Sequence, residues 1–319
     1  MTADGSARAP ASAATEAPVL RVEGLTKRYG RLLAVRALDL ELRAGEVFGL
    51  LGPNGCGKST TLGIILGHLH PTAGSVHVLG VSLAHNRREA LPKVGGLVDG
   101  PAFYPYLSGR ETLRLLAAAH GLDLSVVEPA LAAAGLTERA DDRFGIYSLG
   151  MKQRLGVAAA ILHSPRLVIL DEPTNGLDPA GTREMRALIP RIAEQGRTVL
   201  LASHLLYEVE QVCDRVAIMQ DGSIVAQGTV EALLGAGQRV AVTVAPAERP
   251  RARKLLASLA AVMAVEIDGE DLLVDVENGD AALLNERLAA AGIYASQIQP
   301  AGRSLETLFL ELTGQGAVS

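Results

Sequence analysis

The chain has 319 residues with a formal net charge of −5, and 48% of its residues are hydrophobic while 3% are aromatic. This length allows one large or two modest domains, and the composition is typical of a folded α/β protein rather than a disordered chain. No apolar run approaches the roughly 18 residues of a membrane-spanning helix, and no basic face indicates a nucleic-acid binder. Only two cysteines occur, Cys56 and Cys213, which excludes a disulfide framework and suits a reducing cytosol.

The N-terminal part of the chain predicts a tail followed by strands. Residues 1–18 are rich in Ala, Ser, Thr and Pro and lack the basic start and apolar block of a secretory signal, so we expect a disordered tail. Residues 19–22 alternate like an edge strand, and residues 38–42 alternate in the same way. Short apolar runs separated by helical segments predict further strands of a sheet that is covered on both faces. These runs are residues 47–51, 167–170, 198–202 and 215–219.

A glycine-rich loop follows the first of these apolar runs and precedes a helical stretch. It fits G-x-x-x-x-G-K-[ST] and consists of Gly52, Pro53, Asn54, Gly55, Cys56, Gly57, Lys58, Ser59 and Thr60. Backbone N–H groups of such a loop and the positive end of the following helix dipole can hold a polyphosphate. Lys58 can reach the β- and γ-phosphates, and the Ser59 hydroxyl can ligate Mg²⁺. The loop therefore predicts binding of a nucleoside triphosphate.

Two further segments depart from this strand pattern. Strand signals disappear over about residues 102–163, where Leu- and Ala-rich helical spacing predicts a helical insertion on the sheet core. Near residues 235–237 a Gly-Ala-Gly sequence indicates a linker. Beyond it, strands and helices alternate in an order that predicts a small α+β unit with its own modest core. We therefore expect a nucleotide-binding domain over 19–234 and an accessory α+β domain over 238–319.

Two carboxylates end the apolar strand that begins at Leu167. A buried parallel strand holds Asp171 rigidly at its carboxyl end, beside the phosphate loop. Nucleotide hydrolysis needs one carboxylate near Mg²⁺ and a second group that orients the attacking water. Asp171 suits the first role and Glu172 the second.

Several motifs in this order resemble one family. The run from Asp171 to Asp178 resembles the Walker B and D-loop of ATP-binding cassette ATPases, and residues 147–154 resemble that family's signature helix. Ser203-His204 after an apolar strand matches its switch histidine, and Tyr29 matches the aromatic residue that stacks on adenine. The resemblance covers about residues 19–230, and the motif variants are similar to those of ATPase subunits of drug and antibiotic exporters.

The resemblance implies a fold and a set of roles. The fold is an α/β P-loop NTPase core with a helical subdomain, to which the small C-terminal α+β domain is added. Two chains form a head-to-tail homodimer with two ATP molecules at the interface, where Ser148 and Gly150 of the opposite chain contact the γ-phosphate. Asp178 couples the two sites, and His204 holds the γ-phosphate and the attacking water. Lys58, Glu172 and His204 are then the catalytic residues.

The sequence departs from the family pattern at two places. The family usually carries a glutamine between the core and the helical insertion, whereas counting back from Phe103 puts Asp99 at that position. A carboxylate can bind Mg²⁺ or its water, so Asp99 is expected to join Ser59 and Asp171 as a metal ligand, but it cannot donate a hydrogen bond as an amide does. Leu149 and Met151 also replace the more common Gly and Gln of the signature.

The resulting functional hypothesis is an ATP-hydrolysing subunit of a membrane exporter of drugs, antibiotics or other hydrophobic compounds. ATP-driven dimer closure would power transport through a separate transmembrane permease, with this chain at the cytoplasmic face of the membrane. Residues 103–107 offer apolar surface for docking. Two alternatives stay open: a soluble cassette ATPase acting on nucleic acid or ribosomes, and a regulatory ATP-binding protein. DNA-repair relatives carry long coiled coils between the phosphate loop and the signature, and the short segment between Lys58 and Ser148 argues against this first alternative. The presence of Glu172 and His204 argues against the second, because a purely regulatory protein does not need residues for hydrolysis.

Overall fold

The structure is a computed structural model that describes residues 17–234, 239–276, 279–301 and 304–313. The linker expected at residues 235–237, and all of the expected tail except residues 17 and 18, lie outside the described residues.

The described residues form strands and helices throughout. The strands are β1 (Leu20–Tyr29), β2 (Leu32–Leu42), β3 (Val47–Leu51), β4 (Ala73–Val78), β5 (Val81–Ser82), β6 (Val94–Leu97), β7 (Leu167–Asp171), β8 (Thr198–Ser203), β9 (Arg215–Gln220), β10 (Ser223–Thr229), β11 (Arg239–Val244), β12 (Val262–Asp268), β13 (Asp271–Val276) and β14 (Ala295–Pro300). The α-helices are α1 (Lys58–Ile65), α2 (Arg87–Ala90), α3 (Gly109–Ala119), α4 (Val127–Ala133), α5 (Leu149–Ile161), α6 (Pro179–Glu194), α7 (Leu206–Val212), α8 (Val230–Leu234), α9 (Arg249–Ala257), α10 (Ala281–Ala290) and α11 (Leu305–Thr313).

The first sheet is antiparallel, with strand order β2-β1-β4-β5. The expectation of an edge strand at residues 19–22 is wrong, because β1 is ten residues long and pairs with β2 on one side and β4 on the other. Leu20 and Val22 are buried, whereas Arg21 and Glu23 are exposed. Alternation reports that one face of a strand is exposed, and it carries no information about which edges are paired.

The second sheet has six strands in the order β10-β9-β3-β8-β7-β6, and all except β10 run parallel. The four predicted apolar runs are confirmed as β3, β7, β8 and β9. These strands are buried almost throughout, because apolar clusters cover both faces of the sheet. The carboxyl ends of β3, β6, β7 and β8 therefore meet at one edge, where ligands bind in open α/β sheets.

The predicted helical insertion contains α3, α4 and α5, which pack around their own apolar cluster. Helix α3 begins with a capping box, in which Ser108 and Glu111 each bond the other's backbone N–H. Helix α5 begins at Ser148, whose hydroxyl accepts a hydrogen bond from the Met151 N–H. These three helices account for the Leu- and Ala-rich helical spacing of this segment.

The third sheet, β12-β13-β11-β14, and helices α9 and α10 enclose a separate cluster that includes Val242, Leu272 and Leu284. The predicted order of elements here is confirmed. The last helix differs, because Leu305 and Leu308 of α11 belong to the cluster of the six-stranded sheet together with Val209 of α7. The spacing of apolar residues predicts a helix with a buried face, but it does not say which sheet that face covers.

Within the residues that the structure describes, no helix combines the length and apolar character needed to cross a membrane.

Candidate phosphate-binding site

The phosphate loop connects β3 to α1 at the shared carboxyl edge of the six-stranded sheet. A Cβ added at Gly52 would lie 2.3 Å from the Met219 carbonyl oxygen, and one at Gly57 would lie 2.4 Å from the Ala34 carbonyl oxygen. Gly57 also has φ of 110°, a backbone conformation that other residues rarely adopt. Both glycines are thus required by close packing of the loop against neighbouring strands.

Lys58 is the first residue of α1, and it is buried inside the loop. Its Nζ donates to the Gly52 carbonyl oxygen at 2.7 Å and to the Pro53 carbonyl oxygen at 3.2 Å. The same ammonium lies 3.6 Å from Glu172 Oε1. The Lys58 ammonium group is therefore fixed between the phosphate loop and the Glu172 carboxylate, which follows β7.

Asp171 ends β7 and is 7% exposed. Burial raises the pKa of Asp171, a hydrogen bond with the Ser59 side chain opposes this rise, and the charges of Glu172 and Asp99 add to it. Its Oδ1 atom is buried and has no hydrogen-bond partner within the protein. A buried carboxylate that repels other carboxylates and has a free oxygen is suited to a cation.

The donor set fits Mg²⁺ that is held partly by nucleotide. In the described ranges, no group of three or more His, Cys, Asp or Glu side chains is arranged to hold a metal ion by itself. Mg²⁺ commonly takes one or two protein carboxylates and completes its shell with water and substrate phosphates. Ser59, Asp171 and the nearby Asp99 match that requirement.

Glu172 connects the phosphate loop to the end of β8. Its Oε2 lies 2.7 Å from His204 Nδ1 and accepts a hydrogen bond from the His204 backbone N–H at 3.3 Å. Glu172 has φ of 47°, which is uncommon for a residue with a side chain. The Glu172 N–H donates to the Ala202 carbonyl oxygen at 2.9 Å, which holds this backbone conformation.

Asp99 follows β6 and also has a left-handed backbone, with φ of 58°. It is exposed, and its charge contributes to the raised pKa of Asp171. The residue identified by counting from Phe103 is therefore near the other carboxylates. The structure thus brings together Lys58, Ser59, Asp99, Asp171, Glu172 and His204.

The remaining loop residues differ in exposure. Pro53, Asn54 and Gly55 are exposed, and Thr60 is half-buried in the first turn of α1. Cys56 is 5% exposed, and burial raises the pKa of its thiol. Cys56 therefore fills space beneath the loop and is a poor nucleophile.

The other predicted site residues belong to different elements. Tyr29 ends β1, is 43% exposed and has Lys27 Nζ 5.0 Å from its ring centroid. Ser148 and Gly150 lie at the N-terminus of α5, and Asp178 caps α6 by accepting from the Gly181 N–H at 2.8 Å. Among the described residues, no hydrogen bond or ion pair joins Tyr29, Ser148 or Asp178 to the phosphate loop.

One polar residue near the site had no role assigned from the sequence. Gln153 of α5 is 7% exposed, and its Oε1 has no hydrogen-bond partner in the protein. A Cβ added at Gly100 would lie 3.8 Å from Gln153 Nε2, so this amide lies beside the turn that contains Asp99. An amide on the otherwise apolar face of α5 is the signal by which it could have been found.

Comparisons with known proteins agree on one family. The family described as ABC transporter matches residues 35–175. An uncharacterized ABC transporter ATP-binding protein, YdbJ of Bacillus subtilis (strain 168), is 40% identical over 93% of this chain and 96% of its own length. The bacitracin transport ATP-binding protein BcrA of Enterococcus faecalis is 35% identical over 94% of this chain and 98% of its own.

Solved structures give the same result. The structure of cbiO1 from Clostridium perfringens, described as part of the ABC transporter complex cbiONQ, superposes with a TM-score of 0.64 at 27% identity. The match covers 76% of this chain and 96% of cbiO1.

Proposed function

The chain belongs to the ATP-binding proteins of the ABC transporter family, and from that premise we propose that two copies of it clamp ATP to drive a membrane exporter. It binds ATP and hydrolyses it. The observation that carries the mechanism is the position of the Glu172 carboxylate, between Lys58 Nζ at 3.6 Å and His204 Nδ1 at 2.7 Å.

Three side chains divide the work of hydrolysis in this proposal. Lys58 moves from the loop carbonyls to the β- and γ-phosphate oxygens and stabilises the negative charge that develops there. Glu172 orients the attacking water and accepts its proton. His204 holds the γ-phosphate side of that water, and its bond to Glu172 keeps both groups at the same edge of the sheet.

Ser59 and Asp171 would hold Mg²⁺, and Asp99 would add a third oxygen ligand or bind a coordinated water. When bound, the metal neutralises charge on the β- and γ-phosphates. The loop amides of residues 52–60 would contact the same phosphates, and the Tyr29 ring would stack on the adenine. The exposure of the Tyr29 side chain leaves room for such a ring.

The second half of each pocket would come from the opposite chain of a head-to-tail dimer. Ser148 is exposed at the start of a thirteen-residue helix, and Gly150 follows within its first turn. A helix N-terminus of this length is an anion site, so it can receive the γ-phosphate of the partner's ATP. Asp178 would couple the two pockets through the segment that begins α6.

The proposed partner in the membrane is a separate permease, at whose cytoplasmic side this chain binds. Tyr104 and Tyr106 are 56% and 63% exposed and stack with ring centroids 5.5 Å apart. Ile146 is 69% exposed, and its neighbour Gly145 donates a hydrogen bond to the Pro105 carbonyl oxygen at 2.9 Å. Exposed aromatic and aliphatic side chains of this kind suit a protein interface. The name of the bacitracin transport relative supports an antibiotic-like substrate.

The same comparisons disfavour a nucleic-acid or ribosome ATPase and a purely regulatory protein, because the named relatives are transport proteins. We also propose that residues 19–234 form the ATPase domain and residues 238–319 an accessory domain. The separate apolar clusters of the second and third sheets support this division for residues up to β14, whereas helix α11 packs in the cluster of the six-stranded sheet.

ATP hydrolysis by purified Lys58→Ala tests the catalytic assignment. We expect a loss of at least about 100-fold in kcat, because the lysine stabilises charge in the transition state. Lys93→Ala is the matched control, since Lys93 pairs with Glu89 at the surface. Equal rates for the two variants would overturn the assignment.

Co-purification with a co-expressed permease tests the docking surface. Changing Tyr104 and Tyr106 together to Ser should reduce recovery of the permease and leave ATP binding intact. Tyr294→Ser is the control, because Tyr294 is 80% exposed and directly precedes β14 of the third sheet.

A further inference from the structure

The C-terminal helix α11 packs on the ATPase core through α7. Leu305 is fully buried and Leu308 is 9% exposed, and both belong to the apolar cluster that contains Val209 of α7 and Cys213, the residue that follows α7. Phe309 packs against the same cluster, as does Leu233 of α8. The last described helix is thus part of the core that carries the site.

A polar contact fixes the start of α11 on α7. Glu210 Oε2 accepts a hydrogen bond from the Leu305 backbone N–H at 3.2 Å. A carboxylate at a helix N-terminus satisfies a free N–H group and interacts favourably with the helix dipole. Glu210 therefore fixes both the position and the direction of α11.

Helix α7 is short and lies directly after the catalytic histidine. It has seven residues, begins two residues after His204, and its N-cap residue Leu205 makes no side-chain capping bond. Isolated helices of this length are not stable in water, so packing must hold α7 in place. On its other side, α7 contacts the strand that leads to the phosphate loop, because a Cβ added at Gly49 would lie 2.6 Å from Val209 Cγ1.

We propose that α11 acts as a clamp through which the C-terminal residues set the position of His204 and thereby the rate of ATP hydrolysis. The clamp consists of Leu305, Leu308 and Glu210, which are positioning residues that act through α7. This inference rests on the proposed function of His204. Loosening the clamp displaces His204 from Glu172, whereas the phosphate loop keeps its own supports in β2 and β9. Hydrolysis then falls while ATP binding is retained.

The test compares two leucine-to-alanine variants of the full chain. Leu305→Ala removes a fully buried side chain from the α7 cluster, and Leu284→Ala removes an equally buried one from the cluster of the third sheet. We expect Leu305→Ala to lower kcat at least about fivefold with the ATP dissociation constant within about twofold, and Leu284→Ala to keep the parent kcat. Amide hydrogen exchange over residues 206–212 should accelerate in Leu305→Ala only.

Glu210 variants provide a second test that does not open a cavity. Glu210→Ala should lower kcat, and Glu210→Gln should restore most of it because the amide oxygen can accept the same hydrogen bond. Equal kcat in Leu305→Ala and Leu284→Ala would overturn the inference, as would a parent-like kcat in Glu210→Ala if Leu305→Ala does not fold. An inactive parent chain would instead contradict the proposed function, so the two failures are distinguishable.

Discussion

Alanine substitution of two glycines in the phosphate loop separates backbone strain from steric exclusion. Gly55 and Gly57 both have positive φ, 81° and 110° respectively. A Cβ at Gly55 meets nothing within 4 Å, whereas a Cβ at Gly57 lies 2.4 Å from the Ala34 carbonyl oxygen. Because Ala34 belongs to β2, this oxygen cannot move without disturbing the first sheet.

The expected magnitudes follow from these contacts. Placing an L-residue in a left-handed conformation costs about 1–2 kcal/mol, and this applies to both variants. Forcing a methyl group into a packed site costs about 1–3 kcal/mol more, and this applies to Gly57→Ala alone. We expect Gly55→Ala to lose about 1–2 kcal/mol of unfolding free energy and Gly57→Ala to lose about 2–5 kcal/mol.

Urea unfolding and calorimetric ATP titration measure the two effects. The titration is done in a Glu172→Gln background so that ATP is not consumed. Gly57→Ala should bind ATP at least about tenfold more weakly, because the loop must shift to relieve the contact, whereas Gly55→Ala should stay within about threefold. If Gly57→Ala lost no more stability or affinity than Gly55→Ala, the packing argument for this loop would be refuted.

Three further predictions concern single charged or titratable residues. Asp99→Gln should be at least as active as the parent in steady-state ATP hydrolysis, because an amide can donate to the water; a loss of more than about tenfold would show that the carboxylate has its own role. Burial raises the pKa of Asp171, so the ionised carboxylate destabilises the folded state. Asp171→Asn should therefore be more stable than the parent in urea unfolding, by an amount that grows as pH rises above 3.8. A difference in unfolding free energy that does not depend on pH would contradict this. Burial lowers the pKa of His163, so as pH falls below 6.5 the unfolded chain binds a proton at this residue before the folded chain does, and the folded state loses stability. His163→Gln should therefore lose less unfolding free energy than the parent between about pH 7 and about pH 5. An equal loss would exclude His163 as a cause.

The sequence predicted those parts of the fold whose signal is local. Strands β3, β7, β8 and β9 are continuous apolar runs, and the loop between β3 and α1 carries a specific motif. Strand β6 was missed because Gly95 and Gly96 interrupt its apolar run, although both glycines pack closely on neighbouring elements. Local sequence patterns also could not predict which sheet α11 packs on, because this packing depends on the tertiary position of α7.

In the candidate site, too, the sequence predicted which residues take part but not how they contact each other. Motif order predicted that Asp171, Glu172 and His204 serve one site, and the parallel sheet brings their strand ends together. The direct contact between Glu172 and His204, and the positive φ at Glu172 and Asp99, depend on backbone geometry that residue types alone do not specify. The position of Gln153 beside Gly100 likewise depends on how α5 packs, although an amide on the otherwise apolar face of α5 is a sequence signal.

The mass of the Glu172→Gln chain in Mg-ATP tests the central claim, that two chains share each ATP. Sedimentation should give about twice the 33.3 kDa of the single chain with ATP and the single mass without it. Adding Ser148→Arg should abolish the larger species while each chain still binds ATP. A chain that stays monomeric at saturating ATP, or a dimer that survives Ser148→Arg, would contradict the account.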